Sequence, residues 1–407
     1  MPATRQIRGA FTALVTPFTQ SGAIDEETFR SLVRRQIDAG IHGLVACGTT
    51  GETPTLSHEE DEWVIGTTLE VASERPSRAR VRVIAGTGSN STATAINSTR
   101  RAAKLGVDAA LVVAPYYNKP DQRMLESHFR AVADEGDLPI IVYNVPGRTG
   151  VNVEAATLLR LAEHPRIVGV KEASANMDQI ATILVDRPAD FSVLAGDDTW
   201  TMPMLALGGD GVICTCANEI PGEMVELCDA AFAGDWEQAR LIHERWLPLM
   251  KANFVGGPNP VPVKAAMSIM GLCSDTLRMP LMPLDEPHRS RMRMLLAALG
   301  LFIASNLALG VTFSTVAANQ MQAVQLAQFT LMPSFMLSGF MFPFRGMPGW
   351  AQAVGEVFPT THAMRIVRGM LLKGNGWSEI APDMWPMALF TVAVIVFAVW
   401  RYRETLD

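Results

Sequence analysis

The amino-acid sequence predicts an α/β protein: a (β/α)8 TIM barrel with a C-terminal helical extension, followed by an all-α transmembrane tail of about three spans. Three observations predict it. Eight short apolar runs alternate with amphipathic stretches between residues 11 and 235. The runs are apolar on both faces, as strands of a parallel sheet covered by helices must be. After Arg293 no charged residue occurs until Arg345, a stretch long enough to cross a bilayer twice.

In chain order, the strand-like runs are 11–18, 43–48, 81–86, 109–115, 139–144, 167–171, 191–196 and 211–216. Helix-like segments such as 26–39, 91–105, 121–134 and 153–162 lie between them. Eight such units match a closed barrel better than an open doubly wound sheet. The open sheet also lacks its fingerprint, because Gly86-Thr87-Gly88 has no third glycine and follows the third strand. Helical patterns continue at 221–233, 236–252 and 258–270, a proline-punctuated linker at 280–287 follows, and 289–299 reads as the last helix of the domain. The expected domains are therefore a barrel over 1–235, helices over 236–295 and a membrane tail over 296–407. Within the tail, spans are expected at about 295–316, 323–344 and 384–400, the last closed by Arg401-Tyr402-Arg403.

Composition narrows the function. The chain of 407 residues is 48% hydrophobic, 18% charged and carries a formal charge of −7, which gives nucleic acid no basic surface. Five cysteines without a C-x-x-C pair argue against zinc or a disulfide framework, and for a reducing compartment. The seven histidines form no metal-binding motif, so no metal is expected. The first residues lack the apolar core of a signal peptide, which places the barrel in the cytoplasm.

In a barrel the reactive groups sit at the carboxyl ends of the strands. The second strand ends in Gly48-Thr49-Thr50-Gly51-Glu52, where hydroxyls and closely spaced amides suit a carboxylate. The fourth ends in Tyr116-Tyr117, the fifth in Tyr143 followed by Arg148, the sixth in Lys171, the seventh in Asp197-Asp198, and the eighth runs through Ile213. A lysine at the end of a buried strand is held more easily as the neutral amine, the form that makes Schiff bases with carbonyls. Each residue also has a structural reading. Lys171 can reach solvent, the tyrosines can cap the core, Arg148 can lie on the surface, and Glu52 can favour a helix N-terminus. Cys214 and Cys216, two apart on one strand, read as packing. Taken together, the set supplies what a Schiff-base aldolase acting on a keto acid requires.

Residues 7–300 resemble the 4-hydroxy-tetrahydrodipicolinate synthase family of class I aldolases. The motifs are GTTGE at 48–52, APYYNKP at 114–120, YNVPGRTG at 143–150, GVKEAS at 169–174, AGDD at 195–198 and GVICTCAN at 211–218. The resemblance implies that Lys171 forms an imine with pyruvate and that the derived enamine attacks L-aspartate-4-semialdehyde, in lysine and diaminopimelate synthesis. It implies a proton relay of Tyr143, Thr49 and Tyr117, with Tyr117 supplied across a dimer interface. Thr49 and Thr50 would hold the pyruvate carboxylate and Arg148 the carboxylate of the semialdehyde, while the Ile213 carbonyl lines the pocket. No cofactor is implied beyond the covalent imine, and a homotetramer is implied. His58, Asn90 and Tyr116 match the lysine feedback site of some family members, whereas Asp61 stands at its second histidine and Thr94 at its glutamate. The alternative within the superfamily is another pyruvate-dependent aldolase.

From about residue 296 the tail is similar to the last three spans of an ABC-2 type transporter permease. The resemblance rests on SFMLSGFMFPFRGMP at 334–348 and PTTHAMRIVRGMLLKG at 359–374. No nucleotide-binding G-x-x-x-x-G-K-[ST] occurs in the chain, and the first half of a permease is missing. The tail therefore reads as a fused or misassembled segment joined near residues 296–301, attaching the enzyme to the inner membrane if it is native. The competing reading is a transporter subunit that carries the barrel as a passenger.

Overall fold

The computed structural model describes residues 7–74, 81–339, 342–373 and 375–404; the N-terminal six residues, Phe340-Met341 of the second expected span and the side chain of Arg403 lie outside the described residues. The chain divides into two compact units, Met1–Asp285 and Glu286–Asp407.

The first unit is a closed barrel of eight parallel strands in sequence order, with β1 completing the ring against β8. The strands are β1 (Gly9–Ala13), β2 (Gly43–Ala46), β3 (Arg82–Gly86), β4 (Ala109–Val113), β5 (Ile140–Asn144), β6 (Ile167–Glu172), β7 (Ser192–Ala195) and β8 (Gly211–Cys214). Their inward side chains, including Phe11, Val45, Ile84, Leu111, Ile141, Val168, Leu194 and Ile213, form one buried core. β1 lies earlier than the run 11–18 suggests. Gly9 and Ala10 pair with Gly211 and Val212, and Pro17 has no N–H with which to continue the ladder.

The helices of this unit are α1 (Glu26–Asp38), α2 (His58–Glu74), α3 (Thr92–Leu105), α4 (Gln122–Glu135), α5 (Pro146–Thr149), α6 (Ala155–Ala162), α7 (Met177–Asp186), α8 (Thr201–Ala206), α9 (Pro221–Phe232), α10 (Trp236–Ala252) and α11 (Val261–Ile269). Several start where a polar side chain satisfies a free amide of the first turn. Ser91 accepts from the amide of Thr94 and Asp121 from that of Met124, so both residues precede their helices as caps. The five cysteines are unpaired thiols, and four of them are buried.

Among the described residues the regular elements of the second unit are helices: α12 (Glu286–Val316), α13 (Gln320–Leu337), α14 (Gly349–Gly355), α15 (Pro359–Lys373) and α16 (Trp377–Glu404). The expected helix at 289–299 and the expected span at 295–316 are one continuous helix, because no proline falls after its first turn. Among the described residues, two helices are long and apolar enough to cross a membrane, α12 and α16, and they contain the first and third expected spans; the second, 323–344, includes two residues outside the described ones. α13 has only 18 residues, and Gln320, Gln322, Gln325 and Gln328 dilute its apolar character. α12 and α16 meet through a 2.6 Å hydrogen bond between the buried hydroxyls of Ser305 and Thr391. Outside that seam Leu307, Val311, Leu389, Val392, Val396 and Val399 are exposed.

Candidate active site

Ile167, Val168 and Val170 bury β6 on both faces and carry Lys171 to the carboxyl end of the barrel. Lys171 is 6% exposed and sits in register with Tyr143 of β5 and Leu194 of β7. Its Nζ lies 4.4 Å from the centroid of the Tyr143 ring, a cation–π separation. Among the described residues no carboxylate forms an ion pair with it. The strand-end lysine is therefore buried against an aromatic face and has not escaped to solvent. Room for its stem depends on Gly196, where a Cβ would lie 3.1 Å from Lys171 Cγ and 2.7 Å from the Cβ of Ala173.

The next residue, Glu172, faces away from the barrel axis and is also buried. The Asn144 amide donates to both of its oxygens at 3.1 and 3.0 Å, and the backbone N–H of Ser174 donates at 2.8 Å. Burial pushes the Glu172 carboxyl up, and these donors pull it back. Asn144 also accepts from the backbone of Val153 at 2.9 Å. The network ties β6 to the segment that carries Arg148.

Arg148 is exposed on the four-residue α5, which Pro146 opens and Gly150 ends at φ 74°. Thr49 and Thr50 lie on a single 3-10 turn, Thr49–Gly51, directly after β2. Thr50 is fully buried and its Oγ1 accepts a 2.9 Å hydrogen bond from Asn259. Ile213 is buried on β8 opposite Phe11. Tyr117 stands apart: it is 89% exposed and holds a left-handed φ of 74°. The structure thus places all the expected residues at the carboxyl ends of their strands, brings Lys171 against Tyr143, and leaves Tyr117 facing solvent in the single chain.

Glu52 corrects one structural reading. It does not serve a helix N-terminus: its side chain is buried and paired with Lys264 at 2.5 Å. Asn259 and Lys264 escaped the sequence reading because they lie beyond the eighth strand. The available signal was a lone lysine inside the apolar run Val261–Met267. Asp198, Cys214 and Cys216 place three potential ligand atoms within 4.8 Å of one another. Both Asp198 oxygens are already engaged, accepting the amides of Thr215 at 2.9 Å and Cys216 at 2.8 Å, so this carboxylate closes the turn after β8. Near the expected feedback residues, Arg101 donates to His58 Nδ1 at 2.9 Å.

A closed parallel barrel with a buried lysine on β6 over a tyrosine ring defines a class of protein, the α/β-barrel enzymes. The chain belongs to the Dihydrodipicolinate synthetase family, whose sequence profile matches residues 6–299. A 4-hydroxy-tetrahydrodipicolinate synthase from Koribacter versatilis is 47% identical over 296 residues, spanning 72% of this chain and 97% of the relative. One from Syntrophotalea carbinolica is 47% identical over 73% of this chain and 99% of the relative. Among solved structures, the dihydrodipicolinate synthase of Thermotoga maritima superposes with a TM-score of 0.69 at 43% identity, covering 72% of this chain and 99% of that one. The chloride-inhibited enzyme of Acinetobacter baumannii, complexed with pyruvate, gives 0.70 at 42% identity, covering 72% and 99%. A second profile, ABC-2 type transporter, matches residues 281–372.

Proposed function

We propose that the first unit condenses pyruvate with L-aspartate-4-semialdehyde to 4-hydroxy-tetrahydrodipicolinate. The observation that carries this reading is Lys171, buried over Tyr143 in a chain 47% identical to synthases of that name. The lone pair of Lys171 Nζ adds to the keto carbon of pyruvate, and water leaves to give an imine. Loss of a methyl proton gives the enamine, whose carbon attacks the aldehyde. Cyclisation of the adduct through its amino group releases the product and regenerates the lysine. The nucleophile comes from the chain, so the reaction needs no cofactor.

Tyr143, Thr49 and Tyr117 act as the proton relay in this reading; a positioned acid–base of this kind contributes roughly 10²–10⁴-fold. Thr49 and Thr50 hold the pyruvate carboxylate beside the Ile213 carbonyl. Arg148, a planar fork on a short exposed helix, takes the carboxylate of the semialdehyde. Tyr117, exposed with a strained φ, completes the relay of a second copy, which supports a dimer as the minimal active form and a tetramer of dimers as the assembly. A monomeric variant is known among structural relatives, so the copy number is a point to measure.

The exposed apolar faces of α12 and α16 support attachment to a bilayer. In this reading the domains are the barrel over 1–235, its helical extension over 236–295 and a membrane tail over 296–407, with the barrel in the cytoplasm. Reduction with borohydride in the presence of pyruvate should add a reduced pyruvyl group at Lys171. Lys171→Ala should lose both the label and turnover; turnover by that variant would overturn the assignment. Assay with sugar-acid aldehydes in place of the semialdehyde separates this reaction from that of other pyruvate aldolases.

A further inference from the structure

The turn that carries Thr49 and Thr50 is held from outside the barrel. Three groups from the segment after α10 converge on it. Asn259 Nδ2 donates to Thr50 Oγ1 at 2.9 Å. Lys264 Nζ, with no exposed surface, donates to Glu52 Oε1 at 2.5 Å and to the carbonyl of Thr276 at 2.9 Å. The backbone N–H of Arg278 donates to the other oxygen of Glu52 at 3.1 Å.

Glu52 needs this hold because it ends the turn in the left-handed region at φ 57°, which a residue with a side chain rarely adopts. Phe18 fills the space between the cations, with Lys264 Nζ 4.2 Å and the Arg278 guanidinium 4.4 Å from its ring centroid. Arg278 is itself fixed by two bonds to Glu60, at 2.7 and 2.5 Å. Lys264 and Glu52 thus neutralise each other in a dry site where either alone would be costly.

The direction of the Asn259 bond has a chemical consequence. A hydroxyl has one proton and two lone pairs. Because Thr50 Oγ1 accepts from the Asn259 amide, its own proton is left to donate. A carboxylate accepts and cannot donate. We propose that Asn259 and Lys264 are positioning residues for pyruvate: Asn259 sets the Thr50 hydroxyl as a donor to the substrate carboxylate, and the Lys264–Glu52 pair fixes the turn that aims it. The proposal rests on the reading that the Thr49–Thr50 turn binds that carboxylate.

The test uses the full chain in detergent with steady-state kinetics and borohydride labelling. Asn259→Ala should raise KM for pyruvate about tenfold, as expected for roughly one lost charge-assisted hydrogen bond, leave KM for the semialdehyde unchanged, and unfold at the parent's temperature. Asn259→Asp should be more severe, because the new carboxylate takes the Thr50 proton and repels the substrate. Asn259→Gln, which restores the amide, should recover part of the loss. Lys264→Met should shift the same constant, and any loss of fold in that variant leaves the Asn259 series as the deciding measurement. An unchanged pyruvate KM in Asn259→Ala and Asn259→Asp would overturn the proposal, as would equal increases for both substrates. Labelling separates the two levels. A parent that takes no label at Lys171 sinks the underlying reading, whereas a labelled parent with variants of identical pyruvate dependence sinks only the positioning role.

Discussion

Gly196 shows how tightly the site is built at the scale of one residue. β7 delivers it beside Lys171, and a methyl group there would press on Lys171 Cγ at 3.1 Å, the carbonyl of Glu172 at 3.1 Å and Ala173 at 2.7 Å. The carbonyl belongs to a paired strand and cannot yield, so the lysine stem must. A displacement on the order of 1 Å at a reacting group costs about 10²-fold in rate. Gly196→Ala should therefore lower kcat by about a hundredfold while the protein stays folded, and pyruvate labelling of Lys171 should slow in parallel. Unchanged turnover would show that the stem has slack. Legibility at this scale follows chemistry. Lys171 and Tyr143 stood out in the sequence because buried β-rich runs end at them, and the two threonines because they follow such a run. Gly196 was readable only as part of the AGDD motif, since the space a glycine leaves appears only in three dimensions. Asn259 and Lys264 reach the site across more than 200 residues of sequence, and no periodicity encodes that approach.

A partly buried carboxyl on α2 and a buried imidazole on α4 set opposing pH dependences at the scale of elements. On α2, burial raises the Asp61 carboxyl to about 6, and its Oδ1 has no partner among the described residues. On α4, burial lowers His128 to about 4; its Nδ1 meets the Thr92 hydroxyl at 2.9 Å, and its Nε2 has no partner among the described residues. For Asp61 the folded chain holds the proton more tightly than the unfolded chain between about pH 4 and 6, so stability falls as pH rises through that window. For His128 the unfolded chain holds the proton more tightly between about pH 4 and 6.5, so stability rises with pH. Each full shift corresponds to roughly 3 kcal/mol, and the two contributions nearly cancel. Asp61→Asn should unmask the histidine. Relative to the parent, its stability should gain about 2–3 kcal/mol between pH 4 and 6, measured by thermal unfolding of the full chain in detergent. His128→Gln should change in the opposite direction, and parallel curves for parent and both variants would refute the assignment. The elements themselves were largely legible, because alternation of buried strands and amphipathic helices is a strong local signal. Boundaries moved where caps and prolines act on single residues. The tail's helical character was legible in its long charge-free stretch.

The whole molecule joins two parts at α12. The two family profiles overlap there, one ending at residue 299 and the other starting at 281. The same stretch is the first portion of one uninterrupted helix of 31 residues. Its early turns repeat buried positions at Met292, Leu295, Ala298 and Leu299, the spacing of a helix with one packed face. Its later turns carry Leu307 and Val311 exposed, a face that water does not favour. The synthases 47% identical to this chain are matched over 97–99% of their own length by about 296 residues, so those enzymes do without the sequence that follows. A chain ending at residue 300 should therefore fold, stay in solution without detergent and turn over pyruvate and semialdehyde within about threefold of the full chain, a difference below 1 kcal/mol in the barrier. The full chain should instead sediment with membranes and require detergent, because α12 and α16 are long, apolar and largely unburied. A chain ending at residue 285 should be less stable than the one ending at 300, since it removes a helix that the synthase profile includes. An inactive or insoluble 1–300 chain would show that the tail is integral to the enzyme's fold. A full chain that remains in the soluble fraction would show that another surface covers the two helices.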